Sequence, residues 1–274
     1  MHVHFLDPYR ARPSPIHQLD PRVKLVLALA FILALALAPV GAWPAYVLFL
    51  SISISVQILS ELGIGYVLKR ALLALPFALA ALPILFTTEG VKLVTLPAGP
   101  WTLMITLEGV ERLASIMLKA WLSVQMAIVL TASTAFPDLL LAMRAIKIPR
   151  LLVAIVGLMW RYLFVLVDEA LRLMRAREAR SGSRTMANRK SQIANRNRVG
   201  GSLGWRARVA GGMAGNLFLR SFDRAERIYA AMAARGYDGE VRALPLPPLA
   251  LGQRLVVGGG LVLLSALVVV GHLL

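Results

Sequence analysis

Two arginine-containing tripeptides could act as binding groups: Ala179-Arg180-Ser181 and Ala234-Arg235-Gly236. Each ends a long stretch with helical periodicity, so each arginine is expected at the C-terminal end of a helix. Capping alone selects such residues, because a cation stabilises the helix dipole and a small residue or glycine ends the helix. The repetition on two helices is more informative, since a planar guanidinium group can donate two parallel hydrogen bonds to a carboxylate. The pair therefore predicts docking to carboxylates or helix C-termini of a partner protein.

Residue combinations that would indicate catalysis or a resident metal are missing from the sequence. There is no cysteine, which excludes disulfides, thiolate metal sites and cysteine nucleophiles. No G-x-x-x-x-G-K-[ST] phosphate loop occurs, so ATP binding by the usual route is not expected. His2 and His4 could ligate a metal ion together with the N-terminal amine, although a frayed polar terminus is the favoured interpretation. We therefore expect a non-catalytic protein with no cofactor.

The composition is that of a membrane protein with its charge concentrated in one region. Of the 274 residues, 58% are hydrophobic and the formal net charge is +16, whereas soluble domains are usually about 45–50% apolar. Residues 172–242 contain 16 basic and five acidic side chains, which accounts for most of the excess positive charge. An ordinary soluble enzyme is excluded.

Five apolar segments are long enough, or nearly so, to cross a bilayer as helices. They are residues 25–40, 45–59, 71–87, 113–132 and 255–271. Pro39, Gly41 and Pro44 separate the first two and predict a tight helical hairpin. A signal peptide is the rival interpretation of residues 25–40, which the polar residues before it and the spans after it disfavour. Residues 89–109 indicate an external loop with a short hairpin.

A sixth apolar run, residues 151–167, decides the topology. Basic residues favour the cytoplasmic side, and those before the first, third and fifth predicted spans place the N-terminus in the cytoplasm. If residues 151–167 crossed, the basic region would lie outside. The run also contains Arg161. We therefore interpret it as part of a cytoplasmic helix whose apolar portion is buried against the membrane helices.

The sequence thus predicts an all-α integral membrane protein with about five transmembrane helices. Residues 1–135 would hold the N-terminal segment and four of these helices, and residues 250–274 the last. Between them, residues 136–242 would form a cytoplasmic coupling domain of one short and two long helices. Residues 183–204 would be a basic linker, because this polar composition cannot bury a core. Lys119 inside the fourth span is expected to be paired or to snorkel rather than to relay protons.

Several segments resemble the transmembrane T component of energy-coupling-factor transporters, most closely its cobalt-transport (CbiQ-type) branch. The resemblance covers nearly the whole chain, apart from residues 185–198, which depart from the family pattern. It is carried by both arginine tripeptides and by these segments: Ser14-Pro15-Ile16-His17-Gln18-Leu19-Asp20-Pro21-Arg22-Val23-Lys24-Leu25, Phe136-Pro137-Asp138-Leu139-Leu140, Ile148-Pro149-Arg150-Leu151, Trp160-Arg161-Tyr162 and Asp168-Glu169-Ala170.

The resemblance implies a coupling subunit of a transporter in a bacterial or archaeal cytoplasmic membrane. Arg180 and Arg235 would each insert into one of two cytoplasmic ATPase subunits (A components). The chain would also contact a substrate-binding membrane subunit (S component) and the lipid bilayer, and cobalt would be the substrate. A nickel or vitamin transporter of the same type is the nearest alternative.

A membrane-anchored nucleic-acid- or ribosome-binding protein is the alternative from another class. Trp205, Phe218, Phe222 and Tyr229 are interleaved with arginines along the second of the two long helices, which follows the basic linker, as in nucleic-acid-binding surfaces. Positive charge beside spans is, however, expected from membrane orientation alone. No nucleic-acid partner is therefore expected.

Overall fold

The computed structural model describes residues 8–72, 76, 80–98, 101–181, 203–239 and 247–273. For residues 92–98, 101–104, 178, 180 and 181 it describes the backbone alone. The chain forms two compact units, Met1–Ile148 with Pro245–Leu274, and Pro149–Leu244. The described elements are α1 (Pro15–Gln18), α2 (Pro21–Leu37), α3 (Trp43–Leu59), α4 (Ile64–Ala71), α5 (Ile84–Thr87), β1 (Lys92–Ala98), β2 (Trp101–Thr106), α6 (Leu107–Ser133), α7 (Phe136–Ala145), α8 (Arg150–Ser181), α9 (Leu203–Ala234) and α10 (Leu251–Leu273).

The core of the first unit lies among α2, α3, α6 and α10. Its buried side chains include Phe31, Phe49, Leu122 and Leu264, and the rings of Phe31 and Phe49 meet edge to face at 5.5 Å. A buried hydrogen bond also joins α3 to α6, because Gln57 Nε2 donates to Gln125 Oε1 at 2.7 Å. Hydrogen bonds of this kind between helices stabilise packing in an apolar environment, where the driving force for burying apolar side chains is weak.

The predicted helical hairpin between the first two spans is confirmed. α2 ends at Leu37 and α3 begins at Trp43, and Gly41 between them has a φ of 83°. Glycine is required there because this left-handed conformation disfavours a side chain. The Lys119 ammonium group donates to the carbonyl oxygen of Ala38, the C-cap of α2, and so takes the structural pairing that was expected.

The N-terminal segment is fastened to the end of α6. Ser14 is fully buried and caps α1, with its Oγ accepting from the His17 backbone N–H at 3.3 Å. Lys24 Nζ donates to the carbonyl oxygen of Ser133 at 3.0 Å. The short helix α7, which the sequence grouped with the long helices, contacts α2 in this first unit. Lys24 near the beginning of α2 therefore links that helix to the end of α6, and α2 also contacts α7.

The all-α membrane architecture is confirmed, with the expected short hairpin, β1–β2, before α6. α6 and α10 have the length and hydropathy to cross a membrane, and α2 and α3 have 17 residues each. The third predicted span, 71–87, is not one helix in its described part. α4 ends at Ala71, residues 80–83 form turns and α5 begins at Ile84. Pro83, which lacks an N–H, precedes α5 and interrupts helical hydrogen bonding there.

The run 151–167 lies in helix α8 of the second unit. Helix α8 has the length and hydropathy of a membrane span over Arg150–Arg177. Its apolar side chains were expected to be buried against the membrane helices, which belong to the first unit, and this burial stays a prediction. An apolar helix of this length requires contact with lipid or with other protein segments.

Candidate functional site

The second unit is built on the two long helices α8 and α9, which have 32 residues each. Both place apolar residues at helical spacing, so each has an apolar face beside a basic one. They contact each other through an ion pair. Arg220 Nη1 lies 2.9 Å from Glu169 Oε1, and Arg172 Nη1 lies 4.0 Å from the other carboxylate oxygen. The Glu169 side chain is only 16% exposed, so this ion pair lies at a contact between the two helices, here named the helix crossing.

A second contact fixes the relative direction of the two helices. The Arg177 guanidinium lies 5.7 Å from the centre of the Trp205 ring, a cation–π distance. The two helices are therefore antiparallel, because residues nearer the C-terminus of α8 contact residues nearer the N-terminus of α9. Between the helices runs a cleft lined by Leu173, Ala176, Val209, Gly212, Met213 and Asn216. The contact between the helices therefore extends from Glu169 and Arg220 to the C-terminal part of α8 and the N-terminal part of α9.

The first tripeptide lies within the last turn described for α8. Residues 179–181 are helical, and Ala179 is exposed. The side chains of Arg180 and Ser181 lie outside the described residues, as do residues 182–202. The predicted linker 183–204 therefore falls almost wholly outside them, except that α9 begins at Leu203, two residues before the expected start.

The second tripeptide forms the C-terminal cap of α9, as its glycine predicted. Gly236 has a φ of 79°, and the Tyr237 N–H donates to the Met232 carbonyl oxygen at 3.0 Å. This is the glycine-capped ending in which a left-handed residue returns the chain onto the last turn. Arg235 is exposed, and no ion pair of its guanidinium occurs in the described part of the chain. The left-handed conformation of Gly236 thus fixes the backbone at the helix end that carries Arg235.

The two arginines lie on opposite sides of the helix crossing. Arg180 follows Glu169 by 11 residues along α8, about 16 Å at the rise of an α-helix. Arg235 follows Arg220 by 15 residues along α9, about 22 Å on the same measure. Because the two helices are antiparallel, Arg180 and Arg235 lie in opposite directions from the Glu169–Arg220 contact. One arginine cannot serve the same pocket as the other.

Replacing Gly236 tests whether the cap positions Arg235. Gly236→Val is expected to cost about 1–2 kcal/mol of local stability, because a β-branched residue does not tolerate a positive φ. The helix end should unwind and weaken binding of any partner that receives Arg235. Gly236→Asn is the matched control, since asparagine adopts this conformation. Copurification of the partner at increasing salt measures both variants, and equal retention by them would contradict the positioning role.

The sequence did not single out Glu169 and Arg220 as a pair, although their ion pair joins the two long helices. Glu169 lies in one of the segments that carry the family resemblance, and Arg220 lies in a row of three arginines on α9. Their sequence separation of 51 residues left no local signal for the pairing. Among the described residues, no group of three or more histidine, aspartate or glutamate side chains could hold a metal ion. His2 and His4 lie outside the described residues.

Comparison with known proteins gives consistent matches over most of the chain. The sequence model of the cobalt transport protein family (CbiQ) matches residues 12–245. The cobalt transport protein CbiQ of Rhodobacter capsulatus is 31% identical over 72% of this chain and 73% of its own length. An uncharacterized protein of Methanocaldococcus jannaschii is 24% identical over 87% of this chain and 76% of its own length. The energy-coupling factor transporter transmembrane protein EcfT of Lactococcus lactis is 27% identical over 82% of this chain and 81% of its own length.

Proposed function

Because this chain belongs to the cobalt transport protein (CbiQ) family, we propose that it is the transmembrane coupling component of an energy-coupling-factor transporter. Its partners would be two cytoplasmic ATPase subunits and a separate substrate-binding membrane subunit. The substrate would be a transition-metal ion, cobalt, in keeping with the name of the Rhodobacter relative. ATP hydrolysis is assigned to the ATPase subunits, and this chain transmits motion.

One observation carries the proposal: two long helices cross at Glu169–Arg220, and the arginine tripeptides lie on opposite sides of that crossing. A subunit that couples to two ATPases needs two separate attachment points. Arg180 and Arg235 supply them, each guanidinium bonding carboxylates or helix C-terminal carbonyls in one ATPase subunit. The Arg235 side chain is exposed and held at a capped helix end, which suits it to this role.

Transmission requires an element with two arrangements that nucleotide binding can bias. The crossing pair α8–α9 is that element. When ATP draws the two ATPase subunits together, the attached helix ends move with them, and the crossing converts this motion into a change of angle. The exposed apolar surfaces of both helices, including Met159 at 65% and Phe218 at 68% exposure, supply the contact to the substrate-binding subunit.

The topology follows from the distribution of basic residues. The N-terminus, the segment around Lys69 and Arg70, and the basic residues of α8 and α9 lie in the cytoplasm, where positive charge is retained. This assignment puts Arg180 and Arg235 on the side of the membrane where ATP and the ATPase subunits are found.

Copurification of the intact complex tests the proposal against the nucleic-acid alternative. The chain, coexpressed with its candidate ATPase and substrate-binding subunits, is expected to purify with two ATPase chains, counted by native mass spectrometry. Exposed Phe218, Phe222 and Tyr229 beside arginines would instead serve a nucleic acid if the alternative held. In that case RNA or DNA would copurify in place of the ATPases, with affinity falling steeply as salt rises.

A further inference from the structure

A pair of guanidinium groups flanks one tyrosine ring in the first unit, away from the arginine tripeptides. The guanidinium carbon of Arg10 lies 3.8 Å from the centre of the Tyr66 ring, and that of Arg70 lies 4.8 Å from it. The two carbons are therefore within about 9 Å of each other, a distance at which like charges repel measurably near a protein surface. The coupling function uses none of these residues.

Among the described residues, no acidic side chain neutralises either positive charge. In the part of the chain that the structure describes, Arg10 and Arg70 make no ion pair, and both are exposed. The ring accounts for their placement, because an aromatic face attracts cations. It does not remove the repulsion between them. An anion bound by both groups would do so, and guanidinium forks match the oxygens of a phosphate group.

The backbone holds this arrangement in place. The Arg10 N–H donates to the carbonyl oxygen of Ala132 at 2.9 Å, which fixes the N-terminal segment to the end of α6. His17 Nε2 lies 2.8 Å from the Arg10 carbonyl oxygen. Arg70 lies in the last turn of α4, one turn after Tyr66. The cations are thus presented by fixed elements and need little ordering to bind a ligand.

The surroundings are those of a membrane–water boundary. Ala132 is next to the last residue of α6, a helix with the length and hydropathy of a span. On the opposite face of α4 from Tyr66 and Arg70, Ile64 and Leu72 are 42% and 54% exposed. A short helix with exposed apolar residues on one face and tyrosine and arginine on the other is typical of an element at the lipid headgroup level.

We propose that Arg10, Tyr66 and Arg70 form a binding site for the phosphate of an anionic phospholipid. The two guanidinium groups bond the headgroup phosphate beside the tyrosine, and the acyl chains extend along α6. Because the site lies at the end of a helix with the length and hydropathy of a span, a lipid is a better occupant than a soluble phosphate compound. The bound lipid would fasten α4 to the end of α6.

Thermal unfolding of the purified full chain in detergent tests the site by titration with short-chain phosphatidylglycerol. The wild-type chain is expected to be stabilised at lower concentrations of this lipid than of phosphatidylcholine or inorganic phosphate. Arg10→Gln with Arg70→Gln should weaken the apparent affinity about 30-fold, because each basic residue near a membrane surface contributes about 1 kcal/mol. The matched control is Arg112→Gln with Arg227→Gln, which removes the same charge from exposed positions elsewhere.

Each outcome decides the proposal. An equal loss of affinity in the control pair would show unspecific charge attraction and overturn it. Equal stabilisation by inorganic phosphate would identify a free-phosphate site, and equal stabilisation by phosphatidylcholine would exclude charge recognition; either result overturns the lipid assignment. If the double variant does not fold, Arg70→Gln alone, on the exposed surface of α4, is expected to bind phosphatidylglycerol about fivefold more weakly. Unchanged affinity in that variant also overturns the proposal.

Discussion

Reversing the charge of both tripeptide arginines, with Arg180→Glu and Arg235→Glu, is expected to abolish copurification with the ATPase subunits and to stop uptake. Each substitution replaces an attraction between guanidinium and carboxylate with a repulsion between two carboxylates. Losing one partner of a hydrogen-bonded charge pair in an interface costs roughly 2 to 5 kcal/mol. Because the proposed function places the two sites on separate subunits, the combined change should leave no stable complex at micromolar concentration.

The control for this prediction uses the same helices and the same change of charge. Arg175→Glu with Arg227→Glu alters exposed residues of α8 and α9 that lie away from the tripeptides. This variant should copurify with the ATPases and take up the ion at nearly the wild-type rate. Normal assembly of the Arg180 and Arg235 double variant would refute the assigned docking role, and equal failure of the control would show that general basicity is responsible.

The second large effect is expected at the helix crossing. Glu169→Lys places a cation beside Arg220 and Arg172, which the carboxylate now holds at 2.9 Å and 4.0 Å. Because Arg220 is exposed, the ion pair contributes only about 1 kcal/mol to the contact between the helices. ATP-driven uptake should therefore fall about fivefold. Binding of the ATPase subunits should persist, because the helix ends remain intact. Uptake by the reconstituted complex and ATPase copurification are measured in parallel.

Exchanging the two charges distinguishes the effect of the ion pair from the effect of a changed charge near it. Adding Arg220→Glu to Glu169→Lys restores opposite charges and should recover most of the uptake. Asp168→Lys is the matched control, since Asp168 is exposed and adjacent but forms no ion pair among the described residues. Absence of rescue, or an equal loss in the Asp168 variant, would rule out the crossing as the transmitting contact.

Local sequence signals were sufficient to predict structure where a backbone conformation requires a particular residue type. Gly236 was expected to end α9, and its positive φ confirms that only a residue tolerant of this conformation fits. Gly41 and the neighbouring prolines correctly predicted the helical hairpin, for the same kind of reason. The pairing of Lys119 followed from the cost of an unpaired ammonium group among apolar helices, although its partner, the Ala38 carbonyl, could not be predicted.

Features set by contacts between distant segments were not predictable from the sequence. The Glu169–Arg220 pair depends on the register in which α8 and α9 cross, and periodicity specifies a face but not a register. The guanidinium groups of Arg10 and Arg70 meet at Tyr66 only because the N-terminal segment binds the end of α6.

ATP-driven cobalt uptake into proteoliposomes tests the central claim most directly. Vesicles are prepared with the ATPase and substrate-binding subunits, with or without this chain, and uptake of radiolabelled cobalt is compared with that of nickel. We predict uptake of cobalt that requires ATP and this chain together, and that is lost with Arg180→Glu and Arg235→Glu. Uptake at the same rate in vesicles lacking this chain would contradict its assignment as the coupling component.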